Sequence, residues 1–202
     1  MPEALLKAWN APAIVTHVEI DAAGKQVKQA QNTHIKGVSA SGDTLTWEQK
    51  DEALPFPLGI PQQFVSGEEV RTLALTLKSS DFVEAMNQEI LKVTGLTGIR
   101  YRLKIDGEEI GTFPKEQLEA GLNLATLPTP MTKQALAVHE LSKRHNDLHQ
   151  VRWRQVDMPV SGENLPELKR TLASIDNLDA AIVKKQHSIA IPKPHKYELS
   201  PL

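Results

Sequence analysis

The sequence predicts an α+β protein, with an antiparallel, hairpin-rich β half followed by a long antiparallel helical hairpin. Three observations carry this reading. Apolar residues recur with a period near two from residue 13 to about residue 113. The dipeptide Asp106-Gly107 separates two such runs, where a tight two-residue turn is favoured. Beyond Phe113 the apolar spacing lengthens to three or four residues, the helical period. A chain of 202 residues, 40% hydrophobic and 24% charged, can bury a sizeable core as one domain or as two small lobes.

The elements follow in order. Ala4-Leu5-Leu6-Lys7-Ala8-Trp9 reads as an amphipathic turn with almost nothing before it to cover its apolar face. Ile14, Thr16, Val18 and Ile20 alternate against Val15, His17 and Glu19, which predicts a half-buried strand, and Asp21-Ala22-Ala23-Gly24 reverses the chain. Residues 25–35 read as its partner. Ser41-Gly42-Asp43 turns the chain into another strand through Trp47. Residues 51–69 contain Pro55, Pro57 and Pro61, whose missing N–H and fixed φ disfavour regular structure, so a surface loop is expected there. Residues 70–77 and 89–94 read as strands flanking a helical turn capped by Ser80 or Asp81.

The hairpin of residues 100–113 is the clearest local signal. A two-residue Asp106-Gly107 loop sets Leu103 opposite Ile110 and Lys104 opposite Glu109 as a cross-strand ion pair, with Tyr101, Leu103, Ile105 and Ile110 on one face. Pro114 then opens a short helix through Leu118, and Gly121 supplies its left-handed stop. A long helix is expected after Pro130, read from Met131 to Trp153. Ala137, Leu141, Leu148 and Val151 form its apolar stripe, with His145, His149 and Arg152 along the border. A final helix is expected from Asn164, with Leu165, Leu168, Leu172, Ile175, Leu178 and Ile182 recurring at helical spacing, and the two helices should pack antiparallel. The tail from Ile191, broken by Pro192 and Pro194, reads as extended and laid on the surface.

Composition narrows the function. A formal net charge of -2 removes the basic excess expected of a nucleic-acid-binding surface. No apolar run approaches the roughly 18 residues of a membrane span, and no charged-then-apolar leader opens the chain. Cysteine is absent, which excludes disulfides, thiol catalysis and cysteine-ligated zinc and leaves the compartment open.

The chemistry-bearing candidates are few. His145 and His149 have the i, i+4 spacing of helical metal ligands, but Asn146-Asp147-Leu148 lacks the Glu of a zinc-protease helix. They are read as border histidines bonded to carboxylate or backbone groups, with no metal and no cofactor expected. Arg152 and Arg154 around Trp153 could bind an anion or stack on a ring, or clamp the helix to the sheet. Trp47 could serve as a sugar-stacking platform or as a core residue. The pairs Asp51-Glu52, Glu68-Glu69 and Glu108-Glu109 read as solvated charge. No Gly-x-Ser-x-Gly or Gly-Asp-Ser block occurs, no Asp precedes a His by three residues, and Gly121-Leu122-Asn123 is followed by Leu124 rather than Asp.

The run from Ala4 to Pro12, the strand ending Val18-Glu19-Ile20-Asp21, the segment from Tyr101 to Gly111, Gly121-Leu122-Asn123-Leu124-Ala125, and the helix from Thr129-Pro130-Met131 through His145-Asn146, His149 and Arg152-Trp153-Arg154 together resemble the carboxy-terminal region of bacterial SGNH (GDSL-type) hydrolases. That resemblance implies a parent esterase with a flavodoxin-like catalytic layer whose blocks lie upstream, so that no catalytic residue is expected here. Residues 1–12 would be the remnant of its last helix, residues 13–128 a β-rich domain, residues 129–190 a helical hairpin packed on it, and residues 191–202 a tail. The expected partner is the catalytic domain of the same parent, with pairing to a second copy as another way to cover the apolar face of residues 4–9, and export of the parent stays open. The function so implied is a non-catalytic accessory region that shapes the esterase cleft or its assembly. The alternatives are a stand-alone carbohydrate- or ligand-binding module using Trp47, His145, His149, Arg152, Trp153 and Arg154, and an autonomous hydrolase with an unrecognised Ser/His/Asp site.

Overall fold

The computed structural model describes residues 2–58, 75, 77, 79–163 and 165–202, with side chains from Ala4 onward. It is an α+β fold in two compact units, Met1–Lys133 together with Pro192–Leu202, and Gln134–Ile191.

The first unit opens with α1 (Pro2–Ala8), then β1 (Ile14–Asp21), β2 (Gln26–Gln31), β3 (Thr33–Ser41) and β4 (Thr44–Asp51). After α2 (Phe82–Met86) come β5 (Gln88–Thr94), β6 (Arg100–Ile105), β7 (Glu108–Pro114), α3 (Lys115–Ala120) and β8 (Leu122–Asn123). A last strand, β9 (Pro194–Pro201), returns to this unit from the end of the chain. Two sheets result. One has the order β2-β1-β5-β8 and the other β3-β4-β9-β6-β7. The period-two reading holds in detail: Thr16, Val18 and Ile20 of β1 are buried, as are Leu45, Trp47, Gln49 and Asp51 of β4.

Three strand expectations change. Residues 25–35 do not make one strand, because Asn32 takes φ 55° and moves the chain from β2 in the smaller sheet to β3 in the larger. β1 pairs in parallel with β5, so the smaller sheet is mixed rather than purely antiparallel. In the β6/β7 hairpin, Asp106 and Gly107 adopt the positive φ values the turn requires, and Lys104 does face Glu109. A bulge between Leu103 and Lys104 then places Leu103 opposite Gly111 instead of Ile110. The ion pairs shift accordingly: Lys104 reaches Glu198 of β9 at 3.7 Å, and Glu109 is met by Arg102 at 3.3 Å.

The largest correction is the tail. Residues 194–201 are not laid on the surface; they form the central strand of the larger sheet, antiparallel to β4 on one side and β6 on the other. Proline is tolerated here because Pro194 and Pro201 stand at the two ends of β9, where a missing N–H costs the ladder least. Between them His195, Tyr197 and Leu199 point inward and are buried. Tyr197 stacks on Trp47, with ring centroids 4.9 Å apart and planes 16° from parallel. One apolar cluster joins the inner faces of both sheets, from Val18, Ile20, Leu91 and Val93 to Leu45, Tyr101, Leu103, Ile105 and Leu199.

The helix from α3 ends as expected at Gly121, φ 110°. α4 (Pro130–Gln150) continues into a π-helical segment, Val151–Asp157, and α5 (Pro166–Ala190) follows. Within the second unit the pair is antiparallel: Ser142 bonds Gln186, His145 meets Asp179 and Arg152 meets Asp176. Pro166 occupies the first turn of α5, and the capping role expected of Asn164 lies outside the described residues. So does most of the strand expected at residues 70–77, although Leu75 and Leu77 are helical. In α1, Leu5 and Trp9 beside it are 49% and 70% exposed, so the apolar face foreseen there is open to solvent.

Because β9 fills the middle of the sheet, Leu199→Ala should cost about 2–5 kcal/mol of unfolding free energy in a urea titration, the usual penalty for a fully buried Leu. A loss under about 0.5 kcal/mol, the range of surface substitutions, would return β9 to the surface.

Candidate functional site

The core of the first unit is apolar at one end and polar at the other. Continuing the inward alternation of β4 past Leu45 and Trp47 brings Gln49 and Asp51 inside, and beginning β5 before Leu91 and Val93 brings Glu89 inside. Asp51 was expected to be solvated with Glu52, but it is 4% exposed, because its odd-numbered position shares the face of Trp47 and Gln49. Glu108 and Glu109 are exposed as expected, and Glu68 and Glu69 lie outside the described residues.

Hydrogen bonds run through this polar end. Trp47 Nε1 donates to Gln49 Oε1 at 3.2 Å, and Gln49 Nε2 donates to Asp51 Oδ1 at 2.8 Å. Asn87 and Asn123 tie the surrounding loops together: Asn87 exchanges two bonds with the backbone of Phe56, while Asn123 accepts from the N–H groups of Glu89 and Ala125 and donates to Asn87 O. The Gly121-Leu122-Asn123 match is thus a structural bracket. Neither oxygen of Glu89 has a hydrogen-bond partner among the described residues.

His195 enters from β9. Its Nδ1 lies 2.6 Å from Asp106 Oδ2, and the Lys196 N–H donates to Asp106 Oδ1 at 2.8 Å. The other ring nitrogen, Nε2, is buried with no partner among the described residues. A carboxylate that receives Nδ1–H fixes the tautomer in which Nε2 carries the lone pair, the arrangement of an oriented base. Asp106 also lines a surface cavity of about 650 Å³, together with Lys36, Glu48, Lys196 and Glu198.

Burial sets the protonation of this region. It lifts the Asp51 carboxyl above the ordinary carboxylate range, against the bonds from Thr33 and Gln49. It lifts Glu89 well above that range, and the nearby Asp51 adds to the effect. Tyr197 is pushed up in the same way, by burial first and then by Glu89, Asp51 and Asp106. Asp106 goes the other way: partial burial pulls upward, but His195 and the Lys196 N–H together hold it below its usual value.

The residues singled out from the sequence fall in two places. Trp47 is buried under Tyr197 and is therefore a core residue, not an exposed stacking platform. The other five cluster on the helical hairpin. His145 Nδ1 lies 2.6 Å from Asp179 Oδ1, and His149 Nε2 lies 3.4 Å from Asp179 Oδ2, which matches the carboxylate-bonded border histidines expected. Arg152 clamps α4's extension to Asp176 of α5, at 2.5 and 3.1 Å, rather than to the sheet. Trp153 is 57% exposed, and the Arg154 guanidinium sits 5.6 Å from its ring centroid. Sequence reasoning missed Glu89, Asp106, Asp179 and His195. The inward phase of β5 could have found Glu89, while the other three required knowing which distant segments meet. Among the described residues no serine hydroxyl hydrogen-bonds a histidine, so no serine triad is assembled there.

No family model matches the sequence, and no curated protein does. Among solved structures, a gut microbial diltiazem-metabolizing enzyme matches with a TM-score of 0.76 at 27% identity, covering 98% of this chain and 52% of that one. The chain thus spans about half the length of that enzyme. The likeness overturns the expectation of a non-catalytic accessory region, since nearly every residue of this chain has a counterpart within an enzyme.

The Glu89 carboxyl supplies a pH test. The folded chain keeps this proton to higher pH than the 4.5 of an unperturbed Glu, so above that pH the unfolded chain sheds a proton that the folded one retains. Stability contributed at low pH is therefore lost as pH rises toward the folded pKa. Glu89→Gln removes the titration, so its urea midpoint relative to wild type should climb steadily with pH from about 4.5 upward. A constant offset across that window would refute the raised pKa.

Proposed function

We propose that this chain forms part of a hydrolytic enzyme that transforms drug-like organic molecules, with Asp106, oriented by His195, at its candidate site. The observation that carries the reading is the near-complete likeness to the diltiazem-metabolizing enzyme. The resemblance to SGNH hydrolases supports an ester as the bond cleaved.

The geometry supplies roles for such a reaction. Asp106 is held ionised by His195 and the Lys196 N–H, and with Glu48 and Glu198 it gives the neighbouring cavity a carboxylate wall. That wall suits a basic amine, a group carried by many drugs. Lys36 and Lys196 on the same cavity suit the carbonyl oxygen or carboxylate of an ester and its product. His195 is not itself on the cavity: its Nε2 is buried on the inward face of β9, and it acts through Nδ1, which orients Asp106 and holds that carboxylate ionised as the base at the cavity wall.

The purified chain, incubated with diltiazem and with p-nitrophenyl butyrate, should release hydrolysis products above the buffer rate, read by mass spectrometry and absorbance. His195→Gln, which preserves size and a hydrogen-bonding head, should lower the rate by about tenfold or more, because Asp106 loses the ring that orients it. No turnover, or an unchanged rate in a folded His195→Gln protein, would overturn the reading. A covalent serine-probe adduct would further identify the nucleophile as a serine of this chain.

A further inference from the structure

We propose that His145, His149 and Asp179 form a binding site for a borderline divalent metal, zinc foremost, with one coordination position left open. All three lie in the second unit, the helical hairpin. The inference is independent of the reading of the first unit.

The geometry begins with spacing. Residues four apart on a helix stand one above the other on the same face, and α4 presents two imidazoles this way, with ring centroids 4.5 Å apart and planes at 87°. α5 delivers the third donor. Asp179 turns one oxygen to each ring, and with one ligand atom taken from each residue the three lie within 4.8 Å of one another. Zinc with bonds of about 2.0–2.2 Å in a tetrahedron separates its donors by roughly 3.4 Å. The His149–Asp179 distance of 3.4 Å already meets this. The His145–Asp179 distance of 2.6 Å is that of a hydrogen bond, and it would open by about 0.8 Å as metal replaces the shared proton. Because imidazole ligates only with a bare nitrogen, the proton on His145 Nδ1 moves to Nε2 of the same neutral ring as the metal binds.

The surroundings keep Asp179 available. The neighbouring acid on α5, Asp176, is taken up by the Arg152 guanidinium through two bonds, which also hold its carboxyl below the ordinary range. No arginine or lysine bond to Asp179 occurs among the described residues; its two recorded partners are the histidines. Asp179 and His145 form the sheltered side of the group, with 18% and 32% of their side chains exposed, while His149 is 59% exposed. His149 also lines a concavity of about 460 Å³ with Gln150, Trp153 and Arg154. Three protein donors beside an open concavity is the pattern of a metal site that keeps a position for water or substrate. The π-helical segment Val151–Asp157 starts two residues after His149, and such segments recur at functional sites because the wider turn re-aims side chains.

The competing reading is a metal-free clamp in which the carboxylate shares protons with two histidines and joins the helices. Titration of tag-free, chelator-treated protein with Zn²⁺ in a calorimeter separates the two. The site predicts saturable binding of one Zn²⁺ per chain, and Co²⁺ substitution predicts the intense visible absorption of tetrahedral cobalt. His149→Ala and Asp179→Asn should each weaken binding at least tenfold. His149 is exposed enough that its variant should keep the wild-type far-ultraviolet circular dichroism, so lost binding cannot be assigned to lost folding. No saturable binding, or equal affinity in the folded His149→Ala protein, would overturn the proposal.

Discussion

The larger sheet is completed by a strand that arrives last. β3/β4 and β6/β7 are local hairpins, each closed by a short turn, and neither hairpin pairs with the other. β9 lies between them and supplies both missing ladders, so two marginal hairpins become one five-stranded surface with a continuous apolar face. Its inward residues do three separate jobs. Leu199 packs among the aliphatic side chains, Tyr197 stacks on Trp47, and His195 carries the imidazole that Asp106 orients. The wall of the adjoining cavity also depends on it, since Lys196 and Glu198 are the outward residues of the same strand. Pairings this distant in sequence add little to equilibrium cost, because loop-closure entropy grows only logarithmically, but they delay assembly. Core and candidate site therefore form together.

That coupling explains how two acids survive inside. An isolated ionised carboxylate in an apolar interior is strongly unfavourable, and the observed response is the raised pKa of Asp51 and Glu89. Asp51 is further supported by Gln49 and Thr33, and it feels the charge of His195. Glu89 has no such support among the described residues, so it is best accommodated as the neutral acid. The apolar end, from Ile20 to Leu103, supplies the burial that offsets this cost. Structural ion-pair networks also shift pKa values, but clustered acids beside an oriented histidine are the arrangement that functional sites share.

Legibility followed sequence distance. Alternation located β1, β4, β5, β6 and β7, and the Asp106-Gly107 turn was read correctly because its chemistry is local. The register beyond it was not, since the bulge at Leu103 is a response to pairing on both sides of β6. The tail failed for a related reason. Prolines at both ends of an eight-residue segment read as breakers until one sees that they mark strand ends while His195, Tyr197 and Leu199 alternate between them. For the helices, period alone set the antiparallel pair, and spacing alone put His145 and His149 on one face. What spacing could not supply was the third member, because Asp179 lies in a different helix and ordinary amphipathic logic places it on a polar face with many other charges.

The hairpin shows how carboxylates are distributed between competing cations. Asp176 and Asp179 are three residues apart on α5 and so project from neighbouring positions on one face. Opposite them α4 and its extension offer two imidazoles and a guanidinium. The guanidinium is always charged and forks two ways, so it claims one carboxylate in a bidentate pair. The imidazoles, one turn nearer the start of α4, are left with the other. Each neutral ring has one N–H to donate, so both can bond the two oxygens of Asp179 at once, and the same ring nitrogens become bare once those protons sit on the far nitrogens. A metal-free clamp and the ligand set proposed above therefore use the same three side chains, without any change in the backbone that presents them.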